Sequence, residues 1–270
     1  MTDARAGTTL APAHAVGFLT DASLCIGCKA CEVACKQWNE LPADGEPGRL
    51  TGHSYDNTLD LGATTWRHVG FVERAGGDGK ATAWLMLSDV CKHCVHAGCM
   101  EACPTGAIIR TEFDTVYIQP DVCNGCGYCV PACPFGVPQL DEEAHISRKC
   151  TLCYDRLRDG LEPACAKACP TDSIRFGPVA DLMADAVDRV DTLRSRGVAG
   201  AQLYGDLASG GTNGIGGLNA IFVLTAPPET FNLPAAPSLP ANRALPTYVS
   251  ALAAAAGLLG AALLALGKRR

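Results

Sequence analysis

The sequence predicts an α+β fold: a cysteine-rich body of short strands and helical turns in two modules, one nested in the other, followed by one long apolar helix. Three observations lead there. All 16 cysteines among the 270 residues fall into four groups of four. Short apolar segments bounded by glycine and proline lie between the groups, the mark of short strands. Near the C-terminus, residues 248–267 carry no charge and are followed by Lys268, Arg269 and Arg270. A hydrophobic content of 48% excludes a wholly disordered chain. With 28 acidic against 22 basic side chains, net −6, the chain lacks the basic excess expected of a nucleic-acid binder.

The groups are Cys25, Cys28, Cys31, Cys35; Cys91, Cys94, Cys99, Cys103; Cys123, Cys126, Cys129, Cys133; and Cys150, Cys153, Cys165, Cys169. The first and third read C-x2-C-x2-C-x3-C, and the other two widen only the second gap. Pro104, Pro134 and Pro170 follow three of the four. Disulfides suit this pattern poorly, because cysteines so close in sequence seldom reach bridging geometry. Structural zinc draws on well-separated CxxC pairs and often on His. A cubane [4Fe–4S] cluster wants four thiolates, and cysteines at i, i+3 and i+6 wrap three of its corners. The fourth cysteine of such a run ligates a neighbouring cluster. No group lacks a cysteine, so four [4Fe–4S] clusters are expected, with all 16 cysteines as ligands. His93 and His96, inside the second group, are read as shaping the loop or donating to sulfur. Gly27, Gly98, Gly125 and Gly127 let the backbone come close. Lys29, Lys36, Lys92, Arg148 and Lys149 lie near the ligands; each is an ordinary solvated charge unless it serves to raise a reduction potential.

In chain order, residues 1–17 form a loose arm with no recognisable signal peptide, leading into a strand at 17–20. The body covers 18–178, with the second and third groups in an inserted module at 88–140. Segments 66–73 and 81–87 flank Gly76, Gly77, Asp78 and Gly79 and read as a hairpin; 108–110 and 115–119 make a second one, and 173–176 a further strand. These short strands beside cysteine loops are the pattern of a two-cluster ferredoxin, present twice. Residues 179–225 pack on the body. Within them Val179, Leu182, Met183, Ala186, Val187, Val190 and Leu193 mark one face of a helix, with Pro178 suited to its start and Gly197 to its end; 220–224 is a strand. Six prolines make 226–246 an extended, semi-rigid linker. Residues 247–267 are expected to be a single transmembrane helix, about 30 Å long; a core helix is the alternative. The basic tail 268–270 then puts the C-terminus in the cytoplasm and the body on the extracytoplasmic side of the cell membrane. Clusters do not survive export as an unfolded chain, so a signal-bearing partner is expected to carry the folded protein.

The run from Cys25 to Cys35 followed by Gln37, Trp38, Asn39 and Glu40 resembles the iron–sulfur (beta) subunits of membrane-bound formate dehydrogenases. So do Cys123-Asn-Gly-Cys-Gly-Tyr-Cys129 with Cys133-Pro-Phe135, Lys149-Cys-Thr-Leu-Cys153 with Glu162-Pro-Ala-Cys165, and Gly210-Gly211-Thr212. The resemblance implies an electron-transfer subunit without a catalytic site. It would serve a molybdopterin alpha subunit holding molybdenum or tungsten and a haem b, quinone-reactive membrane subunit. It also implies crosswise ligand sets: Cys25, Cys28, Cys31, Cys169; Cys91, Cys94, Cys99, Cys133; Cys123, Cys126, Cys129, Cys103; and Cys150, Cys153, Cys165, Cys35. Spacing alone does not decide among pairings. The corresponding subunit of a dimethyl sulfoxide or polysulfide reductase is the nearest alternative, and a membrane-tethered zinc-binding interaction protein a remote one.

Overall fold

The computed structural model describes residues 15–43, 58, 60–74, 83–206 and 215–267, with the backbone alone at 243–246 and 260–267. Most of the expected arm, the turn at Gly76–Gly79, Gly210 to Thr212 and the tail 268–270 lie outside the described residues.

The chain runs through β1 (Val16–Asp21), α1 (Ala30–Trp38), β2 (Arg67–Arg74), β3 (Ala83–Val90), α2 (Gly98–Glu101), β4 (Ile108–Arg110), β5 (Val116–Ile118) and α3 (Cys129–Ala132). It continues through β6 (Gln139–Asp141), β7 (Ile146–Arg148), α4 (Tyr154–Arg158), α5 (Ala164–Lys167), β8 (Ile174–Pro178), α6 (Val179–Ser195), β9 (Gln202–Tyr204), β10 (Ala220–Leu224), a 3-10 turn (Pro228–Phe231) and α7 (Pro240–Gly267).

A four-stranded sheet in the order β8-β1-β10-β9 closes the body. β1 and β10 pair in parallel although some 200 residues separate them, with Phe18 opposite Ala220 and Asp21 opposite Val223. β10 reads AIFVL and is buried at every position, as a strand covered on both faces must be. One covering layer is α6, which buries Val179, Leu182, Ala186, Val190 and Leu193 and packs on β1, β8, β9 and β10. These five recur at three- and four-residue steps, one stripe of a 3.6-residue helix. Val187, expected on that stripe, is 46% exposed. Helix α6 stops where Gly197 takes a φ of +88°, a conformation only glycine adopts at little cost. Along the chain the hairpins β2–β3, β4–β5 and β6–β7 separate the four cysteine groups.

The C-terminal part departs from expectation in two ways. The segment 226–246 is not extended throughout. Pro227 and Pro228 open the 3-10 turn, Phe231, Leu233 and Leu239 are buried against the body, and Pro240 begins α7. A proline's fixed φ suits a first helical turn as well as an extended chain, and Pro228 and Pro240 start helical turns here. Second, the expected transmembrane helix at 247–267 is not found: among the described residues no helix is long and apolar enough to cross a membrane.

Candidate metal centres

Each cysteine group straddles a loop and a short helix. Cys25 and Cys28 precede α1, which carries Cys31 and Cys35; Cys91 follows β3 directly, and α2 carries Cys99; α3 begins at Cys129; Cys153 stands just before α4, and α5 carries Cys165. Helix α1 packs against α5, and α2 against α3. The approach of α2 to α3 is so close that a Cβ at Gly98 would lie 2.5 Å from the carbonyl oxygen of Ala132. The first group thus meets the fourth, and the second meets the third.

Two cavities open between these helices. One is lined by Cys91, Cys94, Cys99 and Cys133 with His93, Phe135 and Lys149. The other is lined by Cys25, Cys28, Cys31 and Cys169 with Ser88 and Ser173. In a third place Cys35 feels the charge of Cys150, Cys165 and Cys153. In a fourth, Cys129 stands near Cys123 and Cys126. Cys103 lies apart, more exposed, and the structure gives it no cysteine neighbour among these interactions.

Burial governs the protonation of the thiols. It pushes Cys31 and Cys99 up to about 12, although Arg67 and Ser88 oppose it at Cys31 and Lys149 opposes it at Cys99. It pushes Cys153 up to about 11 and raises Cys35, Cys94 and Cys150 further, with neighbouring cysteines adding to the effect. Cys103 goes the other way. Its slight burial is outweighed by hydrogen bonds from the Thr105 side chain and from the backbone at Ile108, Thr105 and Ala107. Crowded, buried thiols that repel one another as thiolates require positive charge among them. Iron inside a quartet meets that requirement. Among the described residues no three His, Cys, Asp or Glu side chains form a single-ion site, and eight of the sixteen sulfurs line the two cavities. The donor set fits four [4Fe–4S] clusters.

The loops are held by polar contacts, most of them not apparent in the sequence. Arg110 Nη2 donates to the carbonyls of Cys94 and Val95 at 2.8 and 2.6 Å, and its Nη1 pairs with Asp114 at 3.0 Å. His93 Nδ1 accepts from the Val116 N–H at 3.1 Å, so it shapes the loop as expected, whereas His96 is exposed. Ser88 Oγ is 3.3 Å from Cys31 Sγ, and Ser147 Oγ 3.1 Å from Cys129 Sγ. The Ser147 N–H donates to Cys123 Sγ at 3.4 Å. Gly125, with a φ of +70°, brings its loop so near that a Cβ there would lie 2.3 Å from the His145 carbonyl oxygen.

Of the five cations singled out, two are not solvated. Lys92 is 2% exposed and held by Asp89 at 2.6 Å. Lys149 is 2% exposed and donates to the carbonyls of Val116 and Cys150. Lys36 instead ties the carbonyls of Pro42 and Thr64, Lys29 pairs with Glu32 and Arg148 with Asp141. Sequence reasoning passed over a third buried cation, Arg67, which is 1% exposed. The one signal for it was strand alternation, since Arg67 lies two residues from the inward Val69.

Comparison with known proteins agrees with this architecture. Residues 24–107 and 82–179 each match a 4Fe-4S dicluster domain. The formate dehydrogenase iron–sulfur subunit of Haemophilus influenzae is 42% identical over 228 residues, which cover 83% of this chain and 70% of that protein. The iron–sulfur subunit of the nitrate-inducible formate dehydrogenase of Escherichia coli is 43% identical over 210 residues, 77% of this chain and 68% of that protein. The chain belongs to the formate dehydrogenase iron–sulfur subunit family. The B subunit of the anaerobic dimethyl sulfoxide reductase of Escherichia coli is a more distant relative, 36% identical over 174 residues, 62% of this chain and 75% of that protein. Within the formate dehydrogenase iron–sulfur subunit family, two dicluster domains and 16 cysteines account for four [4Fe–4S] clusters.

Proposed function

We propose that this chain is the electron-transfer subunit of a formate dehydrogenase, standing between a molybdopterin catalytic subunit and a haem b, quinone-reactive subunit at a membrane, with no catalytic site of its own. Identity of 42–43% to two formate dehydrogenase iron–sulfur subunits over most of the chain carries this reading. The lower identity and narrower span of the dimethyl sulfoxide reductase relative make that the second choice.

The ligand sets belong to the same proposal. Cys25, Cys28, Cys31 and Cys169 hold one cluster, and Cys91, Cys94, Cys99 and Cys133 another; the two cysteine-lined cavities support these assignments. Cys150, Cys153, Cys165 and Cys35 hold a third, supported by the mutual repulsion of these sulfurs. Cys123, Cys126 and Cys129 with Cys103 hold the fourth, supported by the packing of α2 on α3. When bound, the clusters supply one-electron carriers. The chain's residues fix those carriers in the interior, exclude water from them, and set their potentials through buried cations and hydrogen bonds to sulfur.

The test is cluster reduction in the complex purified anaerobically with its partners. Formate should reduce the clusters within the complex, and dimethyl sulfoxide should leave dithionite-reduced clusters untouched. Clusters inert to formate and oxidised by dimethyl sulfoxide would overturn the assignment.

A further inference from the structure

Arg67 occupies a place that the electron-transfer role alone does not explain. It sits on β2, opposite Val90 of β3, one residue before the second cysteine group. Its guanidinium lies 4.6 Å from the centre of the Phe18 ring, and its Nη1 donates to Ser88 O and Ser88 Oγ, both at 3.3 Å. Nε and Nη2 are buried and have no hydrogen-bond partner among the described residues. A buried cation with two unmet donors is strongly disfavoured unless an anionic group stands nearby. Burial works to lower the pKa of Arg67, yet Cys165, Cys31, Cys150 and Cys35 together hold it above the ordinary guanidinium value. Those four come from two of the proposed ligand sets: Cys31 from one, and Cys35, Cys150 and Cys165 from the other.

We infer that Arg67 is a shared tuning residue: one fixed positive charge between two neighbouring cluster sites, which raises the reduction potential of both together. Reduction adds an electron to an already anionic site, and a desolvated cation beside it favours the reduced form. Because Arg67 stays charged at every working pH, its effect on the two centres is constant and acts on them jointly. Among the other buried cations, Lys92 acts on Cys94 and Cys133 and Lys149 on Cys99, outside those two sets, while Arg156 acts on Cys153 in one of them.

This inference rests on the proposed ligand sets, and the experiment separates the two. The iron-loaded full chain is titrated with dithionite and followed by EPR, first as wild type and then as Arg67→Met. A wild type without about sixteen irons per chain, or without four reducible centres, fails the ligand sets themselves. Given those, Arg67→Met with full iron should show two of the four centres at least tenfold harder to reduce at a given potential, a 59 mV fall for a one-electron couple. The other two should hold. Unchanged potentials, or all four moving alike, overturn the inference and leave the ligand sets standing. If Arg67→Met loses iron, Arg67→Gln, which also removes the charge, takes its place: two centres falling while two hold supports the assignment, and none or four shifting overturns it.

Discussion

Substituting Gly125 by alanine tests whether one loop determines one cluster. The new methyl group meets the His145 carbonyl oxygen at 2.3 Å, and the φ of +70° is one that a side chain resists. The left-handed conformation costs about 1–2 kcal/mol, and relieving the clash by shifting backbone about 1–3 kcal/mol. Retreat of the loop also breaks the contact of the Ser147 N–H with Cys123 Sγ and disturbs that of Ser147 with Cys129, at about 1 kcal/mol each. The sum, roughly 4–7 kcal/mol, falls on the loop carrying Cys123 and Cys126 and weakens cluster retention there by more than about a hundredfold. Iron analysis with EPR of the anaerobically purified variant should show about twelve irons per chain in place of about sixteen, and one reducible centre fewer. Gly197→Ala is the control. Its φ is +88°, but a Cβ there meets nothing within 4 Å, and it lies far along the chain from every cysteine. It should keep full iron. A Gly125→Ala protein with full iron and four centres would refute the reasoning.

Further outcomes follow from the same interactions. Leu182→Ala, opening a hole between α6 and the sheet, should cost about 2–5 kcal/mol in chemical denaturation, whereas Val187→Ala on the exposed side of the same helix should stay within about 0.5 kcal/mol; equal losses would mean the helix face is misassigned. Lys92→Met should lower the potential of a single centre, the one beside Cys94 and Cys133, in the same EPR titration. A shift spread over several centres would contradict so local an effect. Iron removal by chelator and oxidant should abolish cooperative thermal unfolding, because many of the cysteines are themselves core residues; a sharp transition at the holoprotein's temperature would show a core that stands without metal.

Much of the body was legible because its constraints are local. The cysteine spacing reports the clusters directly. Val179, Leu182, Ala186, Val190 and Leu193 advertise α6, and the all-apolar Ala220–Leu224 advertises a covered strand. Other features depend on distant partners and leave no local trace. The parallel pairing of β1 with β10 joins residues some 200 apart. Ser88 and Ser147 are common strand residues whose value lies in the sulfur each happens to face. Arg67 stands beside Trp66, and only tertiary packing shows it buried. The prolines of 226–246 misled because a fixed φ serves an extended chain and a first helical turn equally well. Apolar composition at 247–267 misled in a related way, since it reports a preference to leave water without saying where the chain goes.

Iron and acid-labile sulfide counted on the anaerobically purified full chain, with low-temperature EPR during stepwise reduction, test the central claim most directly. The account predicts about sixteen of each per chain and four one-electron couples. Stoichiometric zinc on a colourless protein, or EPR silence at every applied potential, would contradict it.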